Sequence, residues 1–109
     1  MVASLGSAPR AQAADGWIYL VVRDSACGTP GTYVRGILGN VQPSGWTSTQ
    51  WDTGDNIIYP RVRLGVRNTA NVQVMCQRKQ YGFLWITVGY RWVSGSFTPT
   101  GTGQTFWIG

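Results

Sequence analysis

The chain has 109 residues, room for one small domain whose core is marginal unless it is stapled or docked. Nine Lys and Arg oppose four acids, all of them Asp, and the sequence holds no Glu and no His. A histidine-based triad and a two-histidine metal site are thereby excluded, no metal or cofactor is implied, and the net charge of +5 is almost wholly guanidinium.

Residues 1–13 are small and polar-leaning, and Ala11-Gln12-Ala13 ahead of Ala14 and Asp15 has the A-x-A form of a secretory cleavage site. They are expected to be a signal-peptide remnant or a flexible N-terminal arm, with residues 14–109 forming a single β domain. Export agrees with a cysteine pair, because disulfides persist outside the cytosol. No apolar run approaches the roughly 18 residues of a membrane span, so none is expected.

Residues 17–23, WIYLVVR, are β-branched and aromatic and predict a first core strand. Turn residues fill 24–31 and place Cys27 in a loop. Residues 32–41, TYVRGILGNV, predict a second strand in which Gly36 and Gly39 signal a bulge or the close approach of another backbone. After a turn at 42–45, residues 46–51, WTSTQW, predict a polar strand at an edge or on a solvated face, and 52–55, DTGD, a further turn.

The clearest period-two pattern lies in residues 56–79. Val62, Leu64 and Val66 share one parity and Arg61, Arg63 and Arg67 the other. Beyond a turn-like Asn68-Thr69-Ala70-Asn71, the alternation resumes with Val72, Val74 and Cys76 against Gln73, Met75 and Gln77, which predicts an antiparallel hairpin with one buried face. Residues 83–93 alternate again, with Gly89-Tyr90-Arg91 predicting a tight turn that splits them. A loop over 94–104 then precedes a last strand at 105–109.

No segment has helical periodicity. The sum is an all-β, single-domain barrel or small sandwich of about six to eight short antiparallel strands with one disulfide. If Cys27 and Cys76 pair, they close a loop of about 50 residues, which stabilises the fold by on the order of 4 kcal/mol.

Three C-terminal patches, Val72-Gln73-Val74-Met75-Cys76-Gln77, Trp85-Ile86-Thr87-Val88 and Arg91-Trp92-Val93-Ser94-Gly95-Ser96-Phe97, resemble the ending of secreted actinobacterial SH3-like domains. Val21-Val22-Arg23-Asp24-Ser25, Gly31-Thr32-Tyr33-Val34 and Gly36-Ile37-Leu38 resemble the opening of the same family. Residues 40–69 stand where that family has a short connection, and Arg91 stands where it has glycine. The resemblance implies a noncatalytic module that recognises peptides or cell-wall polymer.

Among candidate sites, Arg61, Arg63 and Arg67 come first. Alternate strand residues lie roughly 7 Å apart, a spacing that follows an anionic polymer or meets acidic side chains, and the competing reading is a solvated strand face. Tyr59, on the same parity, would add a stacking surface. Trp46, Trp51, Tyr81, Tyr90, Trp92 and Trp107 cannot all be buried in so small a core, and Trp46, Trp51 and Trp92 join the expected contact residues. Asp52-Thr53-Gly54 matches the D-T-G of dimeric aspartic proteases, but Asp55 follows where a small residue is needed, so a turn is the better reading. Asp52 with Asp55 falls short of a calcium ligand set. Cys27 or Cys76 would serve as a nucleophile only if free.

The charge raises nucleic acid as a partner, but the Trp-rich, Gly-rich composition fits a secreted β domain better, and nucleic acid is not the expected ligand. The expected function is therefore noncatalytic. The chain would be an exported adaptor that engages a protein partner in an extracellular assembly, such as a toxin particle, or an anionic cell-envelope polymer. The alternative is a secreted enzyme inhibitor using loop 94–104, or a small antimicrobial effector using the arginines.

Overall fold

The computed structural model describes residues 14–43 and 55–109 together with the backbone of 46–49, and within these the chain is built of strands with no α-helix. The all-β, single-disulfide expectation holds. The expected N-terminal arm, Trp51 and the Asp52-Thr53-Gly54 turn lie outside the described residues.

Nine strands are described: β1 Asp15–Trp17, β2 Tyr19–Val22, β3 Tyr33–Gln42, β4 Trp46–Thr49, β5 Ile57–Ile58, β6 Arg61–Arg63, β7 Asn68–Gln80, β8 Leu84–Phe97 and β9 Thr105–Ile108. They form a four-stranded sheet in the order β4-β3-β7-β8, a three-stranded sheet β5-β2-β9 and a two-stranded ribbon β1-β6. The polar β4 lies at the edge of its sheet, as its Thr and Ser content predicts. β9 pairs with β2 in parallel, the one departure from an antiparallel plan among the described strands.

A single cluster joins the inner faces. Val34, Ile37 and Val41 of β3 and Val72, Val74 and Cys76 of β7 pack with Leu20, Val22, Ile58, Val62 and Ile108. The period-two reading of β7 is thus realised as burial. Cys76 is bonded to Cys27, at the end of a short 3-10 helix, Asp24–Cys27, rather than in an open loop. That helix is also tied to β3, since the Val34 amide donates to Asp24 Oδ1 at 2.9 Å.

The glycines of β3 act as expected. The register with β7 shifts between Val34 and Ile37, a bulge containing Gly36. At Gly39 a Cβ would collide with the Asn71 carbonyl oxygen and with Val72 Cα, so the two backbones approach as only glycine permits.

Four expectations need correction. The central hairpin does not exist, because β6 pairs with β1 and β7 with β3 and β8. The bend between them is at residues 64–67, where Gly65 takes a φ of 82°, and Asn68 to Asn71 belong to β7. The first strand is broken at the buried Ile18, whose amide donates to the Pro60 carbonyl, giving β1 and β2 different partners. Gly89-Tyr90-Arg91 does not turn the chain: β8 is continuous, and an extra residue, Val88, is taken up where the register changes between Cys76 and Gln77.

The fourth concerns the expected loop 94–104. Its first four residues belong to β8, and the remainder is pinned. Gly103 N donates to the Trp17 carbonyl at 2.8 Å, Gln104 Oε1 accepts from Thr100 N at 2.8 Å, and Pro99 is buried.

Candidate contact surfaces

The first surface is the outward face of β1 and β6. Parity works as expected at Val62, which is fully buried, with Arg61 and Arg63 on the opposite side. The ribbon's register places Arg61 across from Trp17 and Arg63 across from Asp15. Arg63 Nε meets Asp15 Oδ1 at 3.1 Å, so one of the predicted cations is already engaged within the chain. Arg67 lies off the strand, in the bend, and the predicted three-residue stripe shortens to two.

Tyr59 does add rings to this surface. Tyr59, Tyr19 and Trp17 form a ladder with centroid separations of 5.3 and 5.0 Å and interplanar angles of 75° and 79°. Successive edge-to-face rings make a herringbone. Such a surface is ridged, without the run of coplanar rings on which sugars stack. Asp15, Gly16, Trp17, Tyr59 and Arg61 line a shallow depression beside it.

The second surface is the β7–β8 hairpin. Past Tyr33, which pairs with Gln77, β3 offers no further partner, and residues 78–86 continue as a two-stranded ribbon. Its tip turns at Tyr81 and Gly82, with φ of 57° and 79°. Tyr81 is 78% exposed, Phe83 75%, Trp92 73% and Tyr90 56%, so an aromatic series runs from the tip along β8. Trp92 faces Gln73 and Tyr90 faces Met75 across the ladder, both on the side away from the core.

One aromatic on that side is held in place. The Arg35 guanidinium carbon lies 3.7 Å from the Trp85 ring centroid, Lys79 Nζ lies 5.4 Å from it, and Tyr33 meets it edge-on at 5.9 Å. Trp46 is carried on edge strand β4; its side chain, like Trp51, falls outside what is described. The predicted contact residues are therefore divided: Tyr59, Arg61 and Arg63 sit on the β1–β6 surface, and Trp92 on the β8 surface.

A third feature was not read from the sequence. On the core side of the hairpin, next to the disulfide, Thr29, Pro30, Arg78, Val88 and Arg91 help line an open cleft of about 270 Å³. The Arg91 guanidinium lies over Gly28, which has a φ of 79° and whose absent Cβ would come within 3.0 Å of it. Arg78 and Arg91 form no ion pair among the described residues. The two arginines are on different strands, and only the β7–β8 register brings them to one side. The available signal was compositional: residues 56–109 contain Arg61, Arg63, Arg67, Arg78, Lys79 and Arg91 and no acid.

Compared with protein-family models, curated proteins and solved structures, the chain has no match. The chemistry of the surfaces must therefore be read from their residues. Both cysteines are consumed by the disulfide and are unavailable as nucleophiles. Among the described residues, no three of Cys, Asp, Glu or His gather as metal ligands, and no helix is long and apolar enough to cross a membrane. What the surfaces offer is large aromatic contact area and guanidinium groups, the residue types that dominate protein interface hot spots.

Proposed function

We propose that the chain is an exported, noncatalytic binding module that holds a protein partner in an extracellular assembly. The observation that carries this reading is the solvent exposure of Tyr81, Phe83, Tyr90 and Trp92 along a single hairpin. Aromatic surface exposed on this scale supports a contact role. The disulfide suits an oxidising compartment, and the SH3-like motifs of the sequence belong with a recognition role.

A protein partner is favoured over a cell-wall polysaccharide because each successive pair in the Trp17–Tyr19–Tyr59 ladder is tilted by more than 70°. An inhibitor working through residues 98–104 is disfavoured because that segment is hydrogen-bonded back to Trp17 and to itself.

The test is recovery of the tagged protein from its producer's culture supernatant at low salt, with light scattering and mass spectrometry of what accompanies it. A defined protein partner in fixed stoichiometry, lost in Trp92→Ala and Tyr90→Ala variants that keep their fold, supports the reading. A lone monomer that sediments with cell envelope overturns it in favour of a wall polymer.

A further inference from the structure

We infer that the cleft between Arg78 and Arg91 is a binding site for a phosphate monoester, whose terminal oxygens the two guanidinium groups grip from opposite ends. The inference goes beyond the protein-binding reading above and does not rest on it.

The site follows from the face that β7 and β8 share beside the disulfide. Val74 and Cys76 of β7 stand opposite Arg91 and Gly89 of β8, and Arg78 is the next β7 residue on that face. The two arginines are therefore about four residues apart along the ribbon, roughly 13 Å at the backbone. Between them the face is low: Cys76 is bonded to Cys27, and an added Cβ at Gly89 would find nothing within 4 Å. What remains is an open floor with a cation at each end.

The side wall of this cleft, formed by Thr29, Pro30 and Thr32, is fastened in place. The amide and the hydroxyl of Thr32 both donate to the Thr29 carbonyl, which closes the turn. The disulfide then ties Cys27, two residues before Thr29, to β7. A ligand entering the cleft meets a shape already formed, so little ordering is charged against binding.

Charge gives the sign of the ligand. Asp15 is paired with Arg63, Asp24 Oδ1 accepts from the Val34 amide, and Asp55 Oδ1 accepts from the Asn56 amide. None of these three carboxylates lines the cleft, and Arg78 and Arg91 form no ion pair among the described residues. Two guanidinium groups facing one cleft set up a field that an anion offsets.

Geometry gives its class. A carboxylate presents two oxygens in one plane, and a single bidentate fork engages both. Two forks approaching from opposite ends suit a tetrahedral group with three terminal oxygens, which a phosphate monoester carries. The volume of about 270 Å³ holds such a group, and the open side lets the rest of the ester lie outside. Arg91 is already packed over the bare backbone of Gly28 on one side of its guanidinium, which leaves its fork for the ligand.

The experiment titrates the intact, isotope-labelled protein with methyl phosphate at constant ionic strength and follows the arginine Nε–H and backbone amide resonances. Saturable binding below about 10 mM is expected, with the largest shifts at Arg78, Gly89 and Arg91. Acetate and dimethyl phosphate, which have two terminal oxygens, are expected to bind at least about fivefold more weakly. Arg78→Gln and Arg91→Gln are each expected to weaken methyl phosphate at least about tenfold, Arg91→Lys by less, and Arg67→Gln not at all. Gly89→Val, which raises a side chain from the floor, should also abolish binding, and circular dichroism checks that each variant keeps its fold. A five-residue peptide with a central phosphoserine separates the sources: binding at least as tight as methyl phosphate assigns the site to a phosphorylated protein, and weaker binding assigns it to a small phosphorylated molecule.

Equal affinity for acetate or for dimethyl phosphate overturns the inference, as do shifts at Arg67 as large as those at Arg78 and Arg91. Failure to saturate by about 20 mM overturns it too, as does binding that survives in the folded glutamine and Gly89→Val variants. None of these outcomes bears on a partner recovered from the supernatant, so the binding-module reading stands or falls separately.

Discussion

The Asn68 side chain satisfies both backbone polar groups of Arg63: its Oδ1 accepts from the Arg63 amide at 3.0 Å and its Nδ2 donates to the Arg63 carbonyl at 2.8 Å. Nδ2 also donates to the Val66 carbonyl at 2.9 Å, and the residue is fully buried. One amide thus does the work of a missing ladder where β6 and β7 part company. Asn68→Ala leaves these groups without partners, at about 1–3 kcal/mol for each that stays dry. Urea unfolding followed by tryptophan fluorescence is expected to register a loss of about 2–4 kcal/mol. Asn68→Asp is expected to be at least as damaging, because it removes the donor and buries a charge.

Gly39→Ala and Gly89→Ala test where the sheet has no slack. A Cβ at Gly39 meets the backbone of Asn71 and Val72, whereas at Gly89 nothing lies within 4 Å. The first substitution is expected to cost about 3 kcal/mol or more, since backbone cannot yield as a flexible side chain can. The second should stay within about 0.5 kcal/mol, and thermal melts of the two variants decide the matter.

Removing the cross-link by the paired change Cys27→Ala and Cys76→Ala frees a loop spanning 49 residues. The chain-entropy argument sets the loss at about 4 kcal/mol, a large part of the stability of a domain this size. The wild-type protein in reductant should melt at nearly the temperature of the doubly substituted one.

At Trp85, a double-mutant cycle of Arg35→Ala with Trp85→Leu isolates the ring–guanidinium contact from the other contacts that Arg35 makes. The half-buried ring and the 3.7 Å approach lead to a coupling of about 1 kcal/mol in denaturant unfolding. A coupling near zero would mean that the stack contributes position without stability.

The Asp15–Arg63 pair is expected to do little. Its side chains are 64% and 41% exposed, so solvent and salt screen the attraction. Asp15→Asn should shift stability by less than about 1 kcal/mol, with no added loss in high salt.

Where a residue's own chemistry decides its place, the sequence was legible. Val72, Val74 and Cys76 are buried because alternate strand positions share a face, Gly36 falls within the bulge, and Gly39 marks the close approach because no other residue fits there. Asn68 misled for an instructive reason: Asn-Thr-Ala-Asn has the composition of a turn, and Asn68 does shape the bend, but through its side chain from inside β7. Gly89 was ambiguous in kind, since glycine within a strand marks a turn or a register change with equal justice.

Pairings between distant segments left no local trace. Nothing in residues 15–17 announces that they pair with 61–63, so the engagement of Arg63 by Asp15 was out of reach. Arg78 and Arg91 are separated by the hairpin turn, and a one-residue slip in its register would have placed Arg91 among the aromatics instead of beside the disulfide. In the sequence Arg91 stands in the expected Gly89-Tyr90-Arg91 turn and where the resembled pattern has glycine, and neither reading marks it as the cation beside the disulfide.

The parallel pairing of β9 with β2 sets the order in which this molecule can be made. Leu20 and Phe106 are neighbours in space though far apart along the chain, so the three-stranded sheet lacks a strand until residues 105–108 are available. A nascent chain still missing residues 105–108 has its β2 edge open and must wait. Folding dominated by such distant contacts is slow, on the scale of milliseconds to seconds. Until β9 arrives, the β5–β2 pair has one edge of its sheet unfinished, while the four-stranded sheet, which does not use β9, can already be in place.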